Sequence, residues 1–308
     1  VSRNDLPLDK RQQKLYNRHD YVTKLRERLN RPTNWMDILN VKISDVRTIV
    51  NAVLSTEPAL QSGTRGTAYT YQDFALTADT LTISSYEDLP IFIDEADRTQ
   101  QAYWGSPEVA DYHGKTMNER LQALMLAQHA SWVDFGSTDL NNTADDDTAL
   151  ITVSAANIDD LIRAIKRKIR VNNGDEVAVE RGYFCVWRAA DLELLEGFIQ
   201  ASGFSTADVA LKSGVPSSFL YLGMNHYLST DHTANHLFAG VRKVGKDLGI
   251  LRGTWGKVKF LENPASSSGD LSGLGIVSRL DYGFSFPSAS TPATQRLQEM
   301  GMDINVAS

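Results

Sequence analysis

Two short motifs carry the vocabulary of nucleotide chemistry. Ile91-Phe92-Ile93-Asp94-Glu95-Ala96-Asp97 reads as an apolar strand running into acids that could hold magnesium, and Gly240-Val241-Arg242-Lys243-Val244-Gly245-Lys246-Asp247 nearly spells a phosphate-binding loop. Such a loop cradles phosphates with backbone N–H groups and needs a final Ser or Thr hydroxyl on the magnesium. Asp247 stands in that place and adds negative charge where a phosphate would approach. The order is also reversed, since the acidic strand should follow the loop. The expectation is a strand end with a solvated acidic turn, and a basic surface turn.

The remaining chemistry-bearing residues are equally incomplete. His226, His232 and His236, with Asp231, form a histidine cluster; the His-x-x-x-His pair would suit zinc if it lay on one helical face. Thr233 occupies the place of a zinc-protease glutamate, so surface or capping histidines are expected. Asp139 to Asp147 imitates a calcium loop, but Ala144 replaces the turn glycine and Leu150 the bidentate glutamate. No G-x-S-x-G elbow or G-x-G-x-x-G fingerprint occurs, and Cys185 lies between Phe184 and Val186 as a structural thiol does. The expectation is therefore no catalytic residue, no cofactor and no metal, which suits a structural protein.

The elements that would position these residues begin with a helix. Asp9 is a candidate N-cap with Gln12 at the capping-box position, Leu15, Val22, Leu25 and Leu29 recur near helical spacing, and Arg31-Pro32 ends the run. Its thin apolar stripe suggests an arm that gains little from docking on its own core. Residues 33–40 read as a connector. A second helix is expected from Ser44, with Val46, Ile49, Val50, Val53 and Leu54 on one face, ending before Pro58. After a flexible lead-in at 62–66, Thr67 to Phe74 and Thr80 to Ser84 read as strands of a Thr/Tyr-rich hairpin. That hairpin has little to anchor it to its own core, so an arm that packs on a neighbouring subunit is a sharper reading than a surface hairpin.

A long helix is expected from about Tyr112 to Val133, its buried stripe Met117, Leu121, Leu124, Met125 and Trp132. Asp134 to Asp147 is a polar boundary. Asn157 opens a helix with Ile158, Leu161, Ile162, Ile165 and Ile169 on one face, and Asn172-Asn173-Gly174 closes it. Residues 182–187 form a buried-type strand, and a helix led by Asp191 ends near Gly203. Strands at 257–261 and 276–286 flank a Ser/Gly-rich loop, and a polar tail ends the chain.

The 308 residues, 42% of them hydrophobic, supply a real core, and no apolar run is long enough to cross a membrane. The single cysteine excludes an internal disulfide framework. The net charge of −7 is unevenly placed: residues 1–31 hold nine basic and four acidic side chains, leaving 22 basic and 34 acidic ones for the rest. A basic arm of +5 is thus attached to a body of −12, whereas the net value alone would argue against nucleic-acid contact.

The order of these elements resembles the major capsid protein of tailed double-stranded DNA bacteriophages, an α+β chain with the Hong Kong-97-type fold. The run from Thr80 through Leu89-Pro90-Ile91-Phe92-Ile93-Asp94 to Asp97 and Gln100, the long helix after it, and Arg279-Leu280-Asp281-Tyr282-Gly283-Phe284-Ser285-Phe286 near the end carry the likeness. The resemblance implies an N-terminal arm (1–61), an extended β-hairpin loop (62–90), a peripheral domain with a spine helix (91–149), an axial α/β domain (150–265) and a return to the peripheral domain with a C-terminal tail (266–308). It implies a non-enzymatic shell subunit that self-assembles as hexamers and pentamers in the host cytoplasm. The expected location is the virion, the expected partners scaffolding, portal and decoration proteins, and packaged DNA touched non-specifically by the basic arm. Starting at Val1 rather than Met, the sequence is expected to lack at least its initiator. An encapsulin-type nanocompartment shell is the alternative within this fold, and a DEAD-like nucleoside triphosphatase the alternative outside it. On this reading, loss of residues 1–31 impairs assembly or packaging without unfolding the body.

Overall fold

Apolar runs too short for helices and buried on both faces build the centre of the molecule. In the computed structural model the described residues are 8–31, 33–54, 62–63, 65–66, 68, 71, 75–94, 107–141, 147–171, 175–201, 218–232, 235–266, 269–270, 272–287 and 292–307. A six-stranded mixed sheet runs in the order β5-β15-β9-β6-β8-β7. Its strands are β5 (Val133–Phe135), β6 (Tyr183–Trp187), β7 (Ser218–Tyr221), β8 (Met224–Leu228), β9 (His236–Val241) and β15 (Gly301–Asn305).

Alternation along these strands feeds two cores. Cys185, Trp187, Leu237, Ala239, Met302 and Ile304 pack with α5 (Ile158–Val171) and α7 (Ala189–Ala201), which contribute Leu161, Ile165, Ile169, Leu195 and Ile199. Phe184, Val186, Tyr227 and Phe238 face the other way and pack with Trp132, the helices α1 (Leu8–Leu29), α2 (Asn34–Ile38) and α3 (Pro107–Leu126), and a second sheet. That second sheet follows the order β1-β10-β14-β11, from β1 (Asn40–Ser44), β10 (Asp247–Leu251), β11 (Val258–Glu262) and the 13-residue β14 (Gly273–Ser285). Strand β4 (Ser85–Asp94) pairs with β14 over ten residues.

Several expected elements stand where the sequence places them. The helix expected from about Tyr112 to Val133 is present as α3 but ends at Leu126; its stripe of Met117, Leu121 and Met125 is buried and Leu124 partly so, whereas Trp132, also buried, follows a separate 3₁₀ turn and Val133 opens β5. The helix after Asn157, the strand at 182–187, the helix containing Asp191 and the strands near 257–261 and 276–286 are also present. Asn172 to Gly174, Gly203 and the run from Glu95 to Gln100 lie outside the described residues.

Three expectations are overturned. The helix expected from Ser44 is instead β1, a turn and β2 (Thr48–Leu54), and β2 pairs antiparallel with β3 (Leu76–Thr82). Thr48, Ile49, Val50 and Val53 are β-branched, stiff at χ1 and better suited to a pleated surface than to a helix. The strand expected at 80–84 therefore has 48–54 as its partner; most of 67–74 lies outside the described residues. The polar tail is structured: α8 (Pro292–Gln298) leads to β15, whose five residues are all buried between β5 and β9.

The third correction concerns the arm. Tyr21, Leu25 and Leu29 lie at i, i+4 and i+8 on α1, and all are buried in the second core against α3. The Tyr21 hydroxyl is hydrogen-bonded to His113 Nδ1 at 2.6 Å, Arg18 pairs with Glu262 at 2.8 Å, and Arg28 and Arg31 face Asp111. A three-residue stripe is thin in sequence, but full burial of each member anchors the helix.

Two outcomes follow from this docking. Leu25→Ala is expected to lower the unfolding free energy by roughly 2–5 kcal/mol in urea titration, and loss of residues 1–31 to destabilise the body rather than spare it. His113 is held neutral, its pKa brought from 6.5 to about 4 by burial. The unfolded chain therefore binds the proton more readily, so stability is full above pH 6.5 and falls as pH drops from there toward 4. Urea midpoints measured across that window should decline, and less steeply in His113→Gln.

Candidate assembly surface

The residues singled out for chemistry are committed to structure. Lys246, the would-be phosphate lysine, is buried in the turn between β9 and β10, where its Nζ donates to the carbonyls of Val241, Val244 and Met300 at 3.0–3.3 Å. Burial brings its pKa from 10.5 to about 7, and the rings of Trp132 and Phe184 stand 5.3 Å from the nitrogen. Asp247 accepts from Lys42 at 2.7 Å and from Asn40 and Asn51. Three carbonyls already take the lysine's protons, so this turn is not a phosphate cradle. Asp94 sits at the end of β4 opposite Gly273.

The histidines do not converge as a group. His226 accepts from Trp187 Nε1 at 2.8 Å through Nδ1, and burial lowers its pKa to about 4. His232 stacks on Phe238 and is likewise brought to about 4 by burial. His236 belongs to β9 rather than to a helix, and it meets Asp303 and His129 instead of its sequence neighbours. Asp139 accepts from the Gly136 N–H and from Lys168, and Asp147 accepts from Thr138, so both ends of the calcium-like run serve the fold; residues 142–146 lie outside the described set. Cys185 is fully buried, and its thiol is raised well above the ordinary value by desolvation.

What the structure displays outward is strand surface. The β2–β3 ribbon forms a sheet of only two strands, so both outer edges are unpaired among the described residues. Val50 is 63% exposed and Leu76 58%, and Thr48, Thr77, Thr80 and Thr82 are exposed beside them. An isolated two-stranded hairpin is marginally stable in water and its open edges are templates for further pairing.

The ribbon is nevertheless fixed at its base. Leu81 and Ile83 are buried against the cross-strand pair Gly249 and Gly283 of β10 and β14. A Cβ on Gly283 would lie 2.0 Å from the Thr82 carbonyl oxygen, and one on Gly249 about 3.0 Å from Ile83 Cγ1. Two glycines thus open a notch that admits another strand's backbone. Polar clamps flank it: Lys42 Nζ donates to Asn51 Oδ1 at 2.7 Å and to Asp247, and Arg47 reaches the buried Asp281 at 3.2 Å.

Strand β4 adds a second exposed row. Leu89, Ile91 and Ile93 turn inward while Tyr86, Pro90 and Phe92 remain exposed. Pro90 lacks an N–H, as befits a sheet edge, and Arg279 lies over the Tyr86 ring at 3.9 Å. The Tyr282-Gly283 step is one of the stretches that carry the resemblance in the sequence, and its glycine forms part of the notch. The contribution of 48–54 to the ribbon was obscured by an apolar pattern that fits both helix and strand.

No family model matches the chain, and no curated protein matches it in sequence. Solved structures do. The chain is similar to the capsid structure of the cyanophage P-SCSP1u, with 12% identity, a TM-score of 0.56 and coverage of 90% of this chain and 88% of that one. It is similar to the mature capsid of bacteriophage PhiM1, with 12% identity, a TM-score of 0.56 and coverage of 90% and 87%. It is also similar to a virus-like particle from Pyrococcus furiosus, with 9% identity, a TM-score of 0.58 and coverage of 93% and 98%. The chain has the α+β, Hong Kong-97-type capsid fold across most of its length.

Proposed function

We propose that the chain is the major capsid subunit of a tailed bacteriophage, a structural protein that self-assembles into an icosahedral head around double-stranded DNA. The observation that carries the reading is the joint one of a capsid fold over most of the chain and a ribbon whose outer edges have no strand partner among the described residues. Residues left half-exposed in one chain become covered when copies associate in a closed array.

In this reading the ribbon is the extended loop, and 48–54 joins 62–90 in forming it. Helix α3 is the spine of a peripheral domain at 91–149, and the axial domain at 150–265 carries four strands of the six-stranded sheet with its helices; β5 joins that sheet from the earlier segment, β10 and β11 lie in the other sheet, and residues 266–308 return through β14 to that other sheet before β15 ends in the six-stranded one. The chain assembles as pentamers and hexamers, with scaffolding, portal and decoration proteins as further partners and the virion as its location. The docking of Tyr21, Leu25 and Leu29, with Arg18 paired to Glu262, narrows the basic residues proposed for phosphate contact to those that precede them, Arg3, Lys10, Arg11 and Lys14.

Electron microscopy of the purified full chain tests the proposal: closed shells or capsomer rings are expected, and DNA inside shells recovered from infected cells separates a phage head from a nanocompartment. A monomer that hydrolyses ATP would overturn it. A second expectation concerns the notch. Gly283→Val places side-chain atoms on the Thr82 carbonyl, at a local cost of about 1–3 kcal/mol, and displaces the ribbon. Shell yield by sedimentation should collapse while far-ultraviolet circular dichroism shows a folded chain; normal yield would mean the ribbon is not an assembly element.

A further inference from the structure

Outside the assembly surface, three side chains from distant parts of the sequence meet on one face of the six-stranded sheet. His129 lies in the single 3₁₀ turn that follows α3, His236 is the first residue of β9, and Asp303 is the middle residue of β15. Register brings them together: Asp303 faces Phe238 across the β9–β15 ladder and His236 faces Asn305, so His236, Phe238, Asp303 and Asn305 share one face. His129 approaches that face beside Phe238.

The geometry converges on one carboxylate. His129 Nδ1 is 3.0 Å from Asp303 Oδ2, and His236 Nδ1 is 2.9 Å from Asp303 Oδ1. The two imidazoles lie nearly side by side, with centroids 4.2 Å apart and planes inclined by 31°. The three prospective ligand atoms all fall within 4.8 Å of one another. Two ligands bonded to one metal at about 2.0–2.1 Å each stand roughly 3 Å or slightly more apart, and the two histidine–carboxylate separations, one to each oxygen of Asp303, are of that size.

We propose that His129, His236 and Asp303 form a binding site for a borderline divalent cation of the zinc class. Two imidazole nitrogens and one carboxylate suit zinc, cobalt or nickel, whereas calcium and magnesium favour sets made only of oxygens. With three protein ligands, water completes the tetrahedron. The site is reachable: the histidine side chains are 23% and 22% exposed, against 3% for Asp303.

Without a cation, each Nδ1 is hydrogen-bonded to Asp303. A neutral imidazole with its proton on Nε2 presents the Nδ1 lone pair to a metal. Asp134, bonded to Asn305 at 3.3 Å, adds negative charge nearby. The bound ion would tie the end of α3 to β9 and β15, three segments with no covalent link close by. The inference stands apart from the capsid reading, because it rests on these side chains alone.

The test uses the full chain, without a histidine tag, stripped with a chelator and titrated with cobalt and with zinc. One equivalent per chain is expected, with visible cobalt absorption of tetrahedral type and a higher melting temperature in zinc. His129→Asn and His236→Asn should each weaken binding by about tenfold or more. Both change partly exposed residues, so the variants are expected to stay folded by circular dichroism; Asp303→Asn, at a buried position, serves only as a third check. No binding to the parent chain, or equal binding by folded histidine variants, would overturn the proposal.

Discussion

The exposed ribbon depends on one close approach: the backbone of residues 81–83 crosses over the facing glycines Gly249 and Gly283. Leu81 and Ile83 bury their side chains there, and the following chain turns directly into β4, which zips along β14 for ten residues. A side chain at Gly283 would collide with the Thr82 backbone and lift the crossing strand, and one at Gly249 would press on the Leu81 and Ile83 side chains. The direction of β4, the seating of α3 against it through Arg120 and Glu87, and the projection of the ribbon then follow from where that crossing is allowed. Polar pairs at the base, Lys42 with Asp247 and Arg47 with Asp281, fix the angle but do not create the space.

Much of this plan was legible in the sequence, and the failures have identifiable physics. Helices with a single apolar face, such as 158–171, and strands buried on both faces, such as 183–187, declare themselves because burial follows their own periodicity. The 48–54 strand did not, because Ile49, Val50 and Val53 satisfy a helical spacing as well as β propensity, and its partner lies more than twenty residues away. Residues 301–305 read as a polar tail because Asp303 and Asn305 interrupt the pattern. Their polarity is matched by His129, His236 and Asp134, contacts that no local reading supplies.

The charge split is also modified by tertiary contact. Residues 1–31 carry a net +5, yet Arg18, Arg28 and Arg31 meet acids of the body at Glu262 and Asp111. Such pairs contribute little individually at the surface. Their effect here is to align an arm whose attachment comes from Tyr21, Leu25 and Leu29. Charge orients this helix and burial holds it, so a basic segment and an integral helix are not competing descriptions.

The absence of a complete catalytic motif acquires a physical meaning once the reactive groups are located. Lys246 spends its protons on three carbonyls, Cys185 is sealed in the first core, and His226 is bonded to Trp187. Each would need to be freed before it could act on a substrate, and freeing it would leave buried carbonyls, an indole N–H or a cavity unmatched. Among the described residues the outer edges of the β2–β3 ribbon carry no strand partner, so their exposed backbone groups bond either to water or to a further strand.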